Sequence, residues 1–216
     1  MALRCGVLLG SPNLSKSKMG RACAEFLRTR LEDADSRMGC EVAGLKQIDR
    51  GMSADLDLFE AEEDFVQQML RRPNFHMPGE PAPLLRLRQR LSDCDAFVLA
   101  APDGGAVPEV FELLLPQLGG SELFGLRPTG ICVYSSWSPS DLALRQFLSA
   151  LGALPLPEAL RVPRVHNQFA HGADTAMQQS CDTMLDQLEW HARAMKTHRE
   201  AFGGPSPAYF TRARWS

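Results

Sequence analysis

The chain has 216 residues, 44% of them apolar and 23% charged, with a formal net charge of -3. This is enough apolar material for one core, and there is no positive excess of the kind that marks nucleic-acid binding. No apolar run is long enough to span a bilayer, and no signal-peptide pattern opens the sequence. We therefore expect a cytoplasmic protein that binds neither nucleic acid nor membrane, with one domain over residues 1–202 and a basic, aromatic tail over 203–216.

Cys5 to Leu9 is a short apolar run of the kind that forms a buried strand, and Gly10 permits a sharp turn after it. Ser11, Asn13, Ser15, Lys16, Ser17 and Lys18 follow, and then Met19, Ala22, Cys23, Phe26 and Leu27 recur at helical spacing. A strand, a small polar loop and a helix start can hold phosphate, because free N–H groups and the positive end of the helix dipole point into the loop. Neither GxxxxGK[ST] nor GxGxxG is present, which leaves a loop for a single terminal phosphate. The other reading is a plain strand-to-helix turn capped by a serine.

Glu41 to Ile48 reads as a second strand, 49–65 as an irregular acidic stretch and 71–83 as a loop rich in Pro and Gly. Such a long loop can cover a ligand or simply connect along the rim of the sheet. After a helix at Leu84 to Leu91, the run Ala96 to Ala101 suits a parallel strand covered on both faces. It ends in Pro102, Asp103, Gly104, Gly105, Ala106 and Val107, a second ligand-facing loop. The helix from Glu109 to Leu118 is apolar nearly all round, as suits a deeply buried element or a subunit interface, and Pro116 should distort or end it.

Gly119 to Pro128 reads as a connector and Thr129 to Ser135 as the fourth strand, ending in Ser135-Ser136-Trp137-Ser138-Pro139-Ser140-Asp141, a third loop at the same sheet edge. A helix carrying Leu144, Phe147, Leu148 and Leu151 follows, then an edge strand at Leu154 to Val162 broken by prolines. A long helix covers Asp174 to His198. This alternation predicts an α/β/α sandwich, flavodoxin-like, with a five-stranded parallel sheet in the order 2-1-3-4-5. In that order the loops after strands one, three and four are neighbours at one edge, around the crevice between strands one and three.

The six cysteines form no CxxC pair, and Cys5, Cys23, Cys132 and Cys181 fall in apolar patterns, so they read as buried thiols. The five histidines make no metal motif, so no metal is assigned, and no GxSxG elbow marks a serine nucleophile.

On these residues the chain resembles the NADPH-dependent FMN reductases over nearly all of 3–205. Gly10-Ser11-Pro12-Asn13 and Lys18-Met19-Gly20 are similar to that family's first loop, and DAFVLAAPDGGAVPEV to its strand and ring loop. GGSELFGLRPTGICVYS, LRQFLSALGALPLP and LEWHARAMKTHRE also look like family segments. The resemblance implies that Ser11, Asn13, Ser15, Ser17, Lys18 and Met19 hold the FMN phosphate. It also implies that the stretch from Pro102 through Asp103, Gly104, Gly105 and Ala106 to Val107 lies along the ribityl chain and ring. Ser135, Ser136 and Trp137 would approach the ring's other edge.

NAD(P)H would be the co-substrate, and a quinone, flavin or similar small molecule the acceptor. No side-chain acid, base or nucleophile is required, since the flavin carries the chemistry. The resemblance further implies a homodimer or homotetramer. The ring loops depart from the family: Asp-Gly-Gly stands in place of a Tyr- and Asn-containing motif, the loop after strand four has no glycine, and Asn13 replaces an Arg. A non-catalytic flavodoxin-like binding protein with an eroded flavin site is the alternative.

Overall fold

A computed structural model describes residues 3–10, 18–31, 38–44, 82–103, 105–135, 140–164 and 174–203. Among them are strands β1 (Arg4–Leu9), β2 (Gly39–Gly44), β3 (Ala96–Pro102), β4 (Pro128–Tyr134), β5 (Leu154–Pro155) and β6 (Leu160–Val162). The helices are α1 (Lys18–Leu31), α2 (Ala82–Ser92), α3 (Glu109–Gln117), α4 (Ser121–Phe124), α5 (Leu142–Ala150) and α6 (Thr175–Phe202).

All strand pairs are parallel, in the order β2-β1-β3-β4-β5, with β6 also pairing with β4. Among the described residues the sheet thus has six strands, where five were expected. The single strand expected over Leu154 to Val162 is two short segments: the Leu156 N–H still donates to the Thr129 carbonyl, Pro157 has no N–H to continue the ladder, and pairing resumes at Leu160. Another departure is α4, a helical turn in the stretch expected to be a connector.

Alternate residues of the central strands feed two cores. Cys5, Val7, Leu9, Val98, Ala100 and Cys132 pack with Cys23, Leu27 and Leu31 of α1 and with Met184, Leu185 and Leu188 of α6. Leu8, Phe97, Leu99, Ile131 and Val133 pack with side chains of α2, α3, α4 and α5. The unbroken apolar runs of β3 and β4 follow from burial on both faces. The apolar helix α3 spends Val110, Phe111, Leu114 and Leu115 on this second core.

The last helix is set by its ends. The Asp174 carboxylate accepts the Met177 N–H at 2.7 Å, an N-cap that contributes about 1 kcal/mol. Gly203, at φ 81°, closes the other end, so the helix runs to Phe202, four residues beyond the expected limit of His198. On its inner side Lys196 and Arg199 meet the buried carboxylate of Asp95 at 2.9 and 3.2 Å, and Arg30 of α1 pairs with Asp182. These contacts fix α6 against the amino edge of the sheet and leave the carboxyl edge to the loops.

Candidate functional site at the carboxyl edge of the sheet

The first residue of each predicted loop is still held by the neighbouring strand. The Gly10 N–H donates to the Ala100 carbonyl at 2.8 Å, the Asp103 N–H to Tyr134 at 2.9 Å and the Ser135 N–H to Val162 at 3.0 Å. Since β1, β3 and β4 are adjacent, the three loops leave the sheet side by side. Gly10 is demanded by packing here: a Cβ on it would stand 2.6 Å from Cε2 of the buried Phe111 ring.

At the phosphate end, Ser11, Asn13, Ser15 and Ser17 lie outside the described residues. Helix α1 begins at Lys18 and carries no acidic residue in its first turn, so the positive end of its dipole is not offset from within the helix. Met19 is half-buried against the core, which limits any phosphate contact there to its backbone.

Of the ring-loop residues, Gly104, Ser136 and Trp137 lie outside the described residues. Pro102, Asp103, Gly105 and Ala106 come together, with Ser140 and Leu144, around a partly open cavity of about 220 Å³. Val107 does not join them; its side chain packs on the core below. Asp103 organises this corner. One carboxylate oxygen accepts the Gly105 N–H at 3.0 Å and the other the Ser140 N–H at 2.8 Å, so a single side chain ties the loop after β3 to the loop after β4. Gly105, at φ 75°, supplies a backbone conformation that L side chains rarely adopt.

Next to Ser140, Asp141 begins α5 without capping it by its side chain. Its buried carboxylate faces two guanidinium groups. Arg161 donates to Oδ1 through Nη2 at 2.7 Å and Nε at 3.0 Å, and Arg145 donates to Oδ2. Arg145 also reaches the Leu156 and Pro157 carbonyls. Burial pushes the Asp141 carboxyl up, but the bonds from Arg161 and Arg145 outweigh it and hold it below its ordinary value of 3.8. The cluster locks the start of α5 to β6. It was not foreseen in the sequence, where the only local sign was an Asp four residues before an Arg.

Among the described residues, no group of three His, Cys, Asp or Glu is placed to hold a metal ion, and no helix is long and apolar enough to cross a membrane. The arrangement offers backbone donors, one fixed carboxylate and an apolar-walled cavity at adjacent strand tips. That is equipment for binding and orienting a ligand.

No protein-family model matches the chain, and neither does any functionally curated protein. Solved structures do. The apo form of an NADH:FMN oxidoreductase aligns at a TM-score of 0.60 and 13% identity, over 88% of this chain and 89% of that one. An oxidoreductase from Corynebacterium diphtheriae aligns at 0.56 and 14%, over 89% and 97%. The flavoenzyme NAD(P)H:(acceptor) oxidoreductase FerB from Paracoccus denitrificans aligns at 0.53 and 16%, over 88% and 99%. The chain therefore shares the fold of these three structures, a parallel α/β/α sandwich of the flavodoxin-like kind.

Proposed function

We propose that the protein is a flavin-dependent NAD(P)H oxidoreductase that binds FMN at the carboxyl edge of the sheet and reduces a small acceptor such as a quinone or a flavin. The observation that carries this is the adjacency of the loops after β1, β3 and β4 at the switch point between β1 and β3, where open α/β sheets take their ligands. The structural likeness to an NADH:FMN oxidoreductase and to an NAD(P)H:(acceptor) oxidoreductase supports the general kind of reaction.

The residues present fit the group at its anionic end. The start of α1, free of acidic residues, suits a phosphate, together with the backbone and hydroxyls of 11–17. Asp103, Gly105 and Ala106, which line the cavity at the tip of β3, are the residues we assign to the ring. When bound, the flavin supplies hydride transfer. The chain's own part is to bind and orient: the start of α1 neutralises phosphate charge, Gly10 lets the tip of β1 pack against Phe111, and Asp103 holds the loops after β3 and β4 together. The chain works in the cytoplasm as a homodimer or homotetramer. Among the described residues, Leu113 is the half-buried apolar position that α3 leaves outside the core, and light scattering that found only monomer would remove the oligomer.

The non-catalytic alternative draws on one observation: Asp103 already bonds the loop after β4, so that corner is closed by the chain itself. The separating experiment is simple. The purified protein should be yellow, release FMN on heating and oxidise NAD(P)H in the presence of a quinone. A folded, colourless protein that consumes no NAD(P)H even with added FMN favours the alternative.

A further inference from the structure

We propose that the solvent face of α6 around Trp190 is a docking surface for the chain's own segment Tyr209–Arg212, which lies back along the helix in the antiparallel sense.

The face is exposed and aromatic. Trp190 is 69% exposed, and Phe202, in the last turn, 78%. Trp190, Ala194, Thr197 and Ala201 are all exposed and follow one another at the spacing of a single helix face, opposite the buried Met184, Leu188 and Ala192. None of the four carries a charge, so the end of α6 turns an uncharged strip to water. A tryptophan at its head is a large apolar area that a partner can cover.

Reach selects the occupant. Residues 204–216 lie outside the described residues, and they begin where this face ends. Gly203 has φ 81°, and a Cβ on it would meet nothing within 4 Å, so a glycine stands there for its backbone turn and not for want of space. Pro205 and Pro207 disfavour a continued helix and favour an extended chain of about 3.1 Å per residue. From Gly203 the seven residues to Phe210 then span about 22 Å. Trp190 lies thirteen residues back along the helix, or about 20 Å. A chain that turns back at Gly203 thus brings Tyr209 and Phe210 level with Trp190.

Charge agrees with that register. Asp186 is exposed and four residues before Trp190, on the same side of the helix. It stands about 26 Å back from Gly203 along the helix, and Arg212 falls about 28 Å along the extended segment. A guanidinium therefore arrives beside a carboxylate where aromatic rings arrive beside an indole. A second copy fits less well. A strip about 18 Å long and one side chain wide falls far short of the ~800 Å² per partner that a stable dimer buries. A segment joined to the helix instead acts at an effective concentration in the mM range.

Trp190 reports the contact once Trp137→Phe and Trp215→Phe leave it as the lone tryptophan. Acrylamide quenching of its fluorescence is compared in the 216-residue chain and in a chain ending at Gly203, both checked for folding by circular dichroism. Quenching is expected to be about threefold weaker in the longer chain and independent of protein concentration. Tyr209→Ser with Phe210→Ser, which keeps the chain length, should raise it to the level of the shortened chain, so the test stands even if that chain does not fold. Arg212→Glu should raise it part of the way, and Asp186→Arg in the same chain should bring it down again. Equal quenching with and without Tyr209 and Phe210 overturns the proposal, as does protection that grows with protein concentration, the sign of a second copy. A charge exchange without recovery overturns the antiparallel register.

Discussion

Gly10 lies against the face of Phe111 with no room between them: a Cβ at Gly10 would meet Cε2 at 2.6 Å and Cζ at 2.7 Å. The contact joins the tip of β1, where the first ligand loop begins, to α3, the helix that follows the second. Phe111 is fully buried and cannot swing aside. Gly10→Ala should therefore cost about 1–3 kcal/mol through overpacking, seen as a Tm lower by about 5 °C. Adding Phe111→Leu should recover part of that loss, because the two changes share one contact. Additive losses in the double variant would show that the contact does not limit this site.

The Asp141 cluster makes a pH prediction. Its carboxyl is held below 3.8 in the folded state, because the hydrogen bonds from Arg161 and Arg145 exceed the cost of burial. A depressed folded value means the contribution is fully present above the unfolded value and is lost as pH falls through the folded one. Asp141→Ala should lower stability by about 2 kcal/mol at neutral pH. The difference from wild type should shrink in urea unfolding at about pH 3. A difference that persists unchanged in acid would mean that the charge is not what stabilises the corner.

Asp95 tests how α6 is fastened. Its buried carboxylate accepts from the Arg4 N–H, Lys196 and Arg199. Asp95→Ala removes the carboxylate that Lys196 and Arg199 both meet and should destabilise the fold by about 3 kcal/mol in denaturant titration. Lys196→Ala, whose ammonium is one of three donors to Asp95, should cost clearly less.

The thiols should be inert in the native state. Cys23 Sγ and Cys132 Sγ lie 3.2 Å apart with no exposure, bridging α1 and β4. The Cys23 hydrogen bond, then burial, push the Cys132 thiol well above its ordinary 9.0. Cys5, Cys94 and Cys181 are buried as well. A thiol reagent at mildly alkaline pH should leave these five unmodified until denaturant is added; rapid modification of Cys132 in the folded protein would contradict the packing.

The central strands were legible in the sequence because β1, β3 and β4 are covered on both faces and so show as unbroken apolar runs bounded by Gly, Pro and Asp. Helix α6 was legible by its period, apart from its last turn, where no apolar residue is required. What escaped depends on partners far away in the chain. Asp103 reads as a turn residue, and nothing local shows that Ser140, 37 positions on, donates to it. Asp141 shows locally only an Arg four positions on, and its other partner, Arg161, lies 20 positions away on β6. Four-residue α4 sits between Gly120 and Gly125, whose turn signals hide it.

The most direct test of a flavin site at this sheet edge is a titration of FMN into flavin-free protein, followed by quenching of flavin fluorescence. One-to-one saturation, weakened by a charge reversal at the start of α1 such as Lys18→Glu, is the predicted result. Fluorescence that stays that of free FMN at every protein concentration, in a chain shown to be folded, would contradict it.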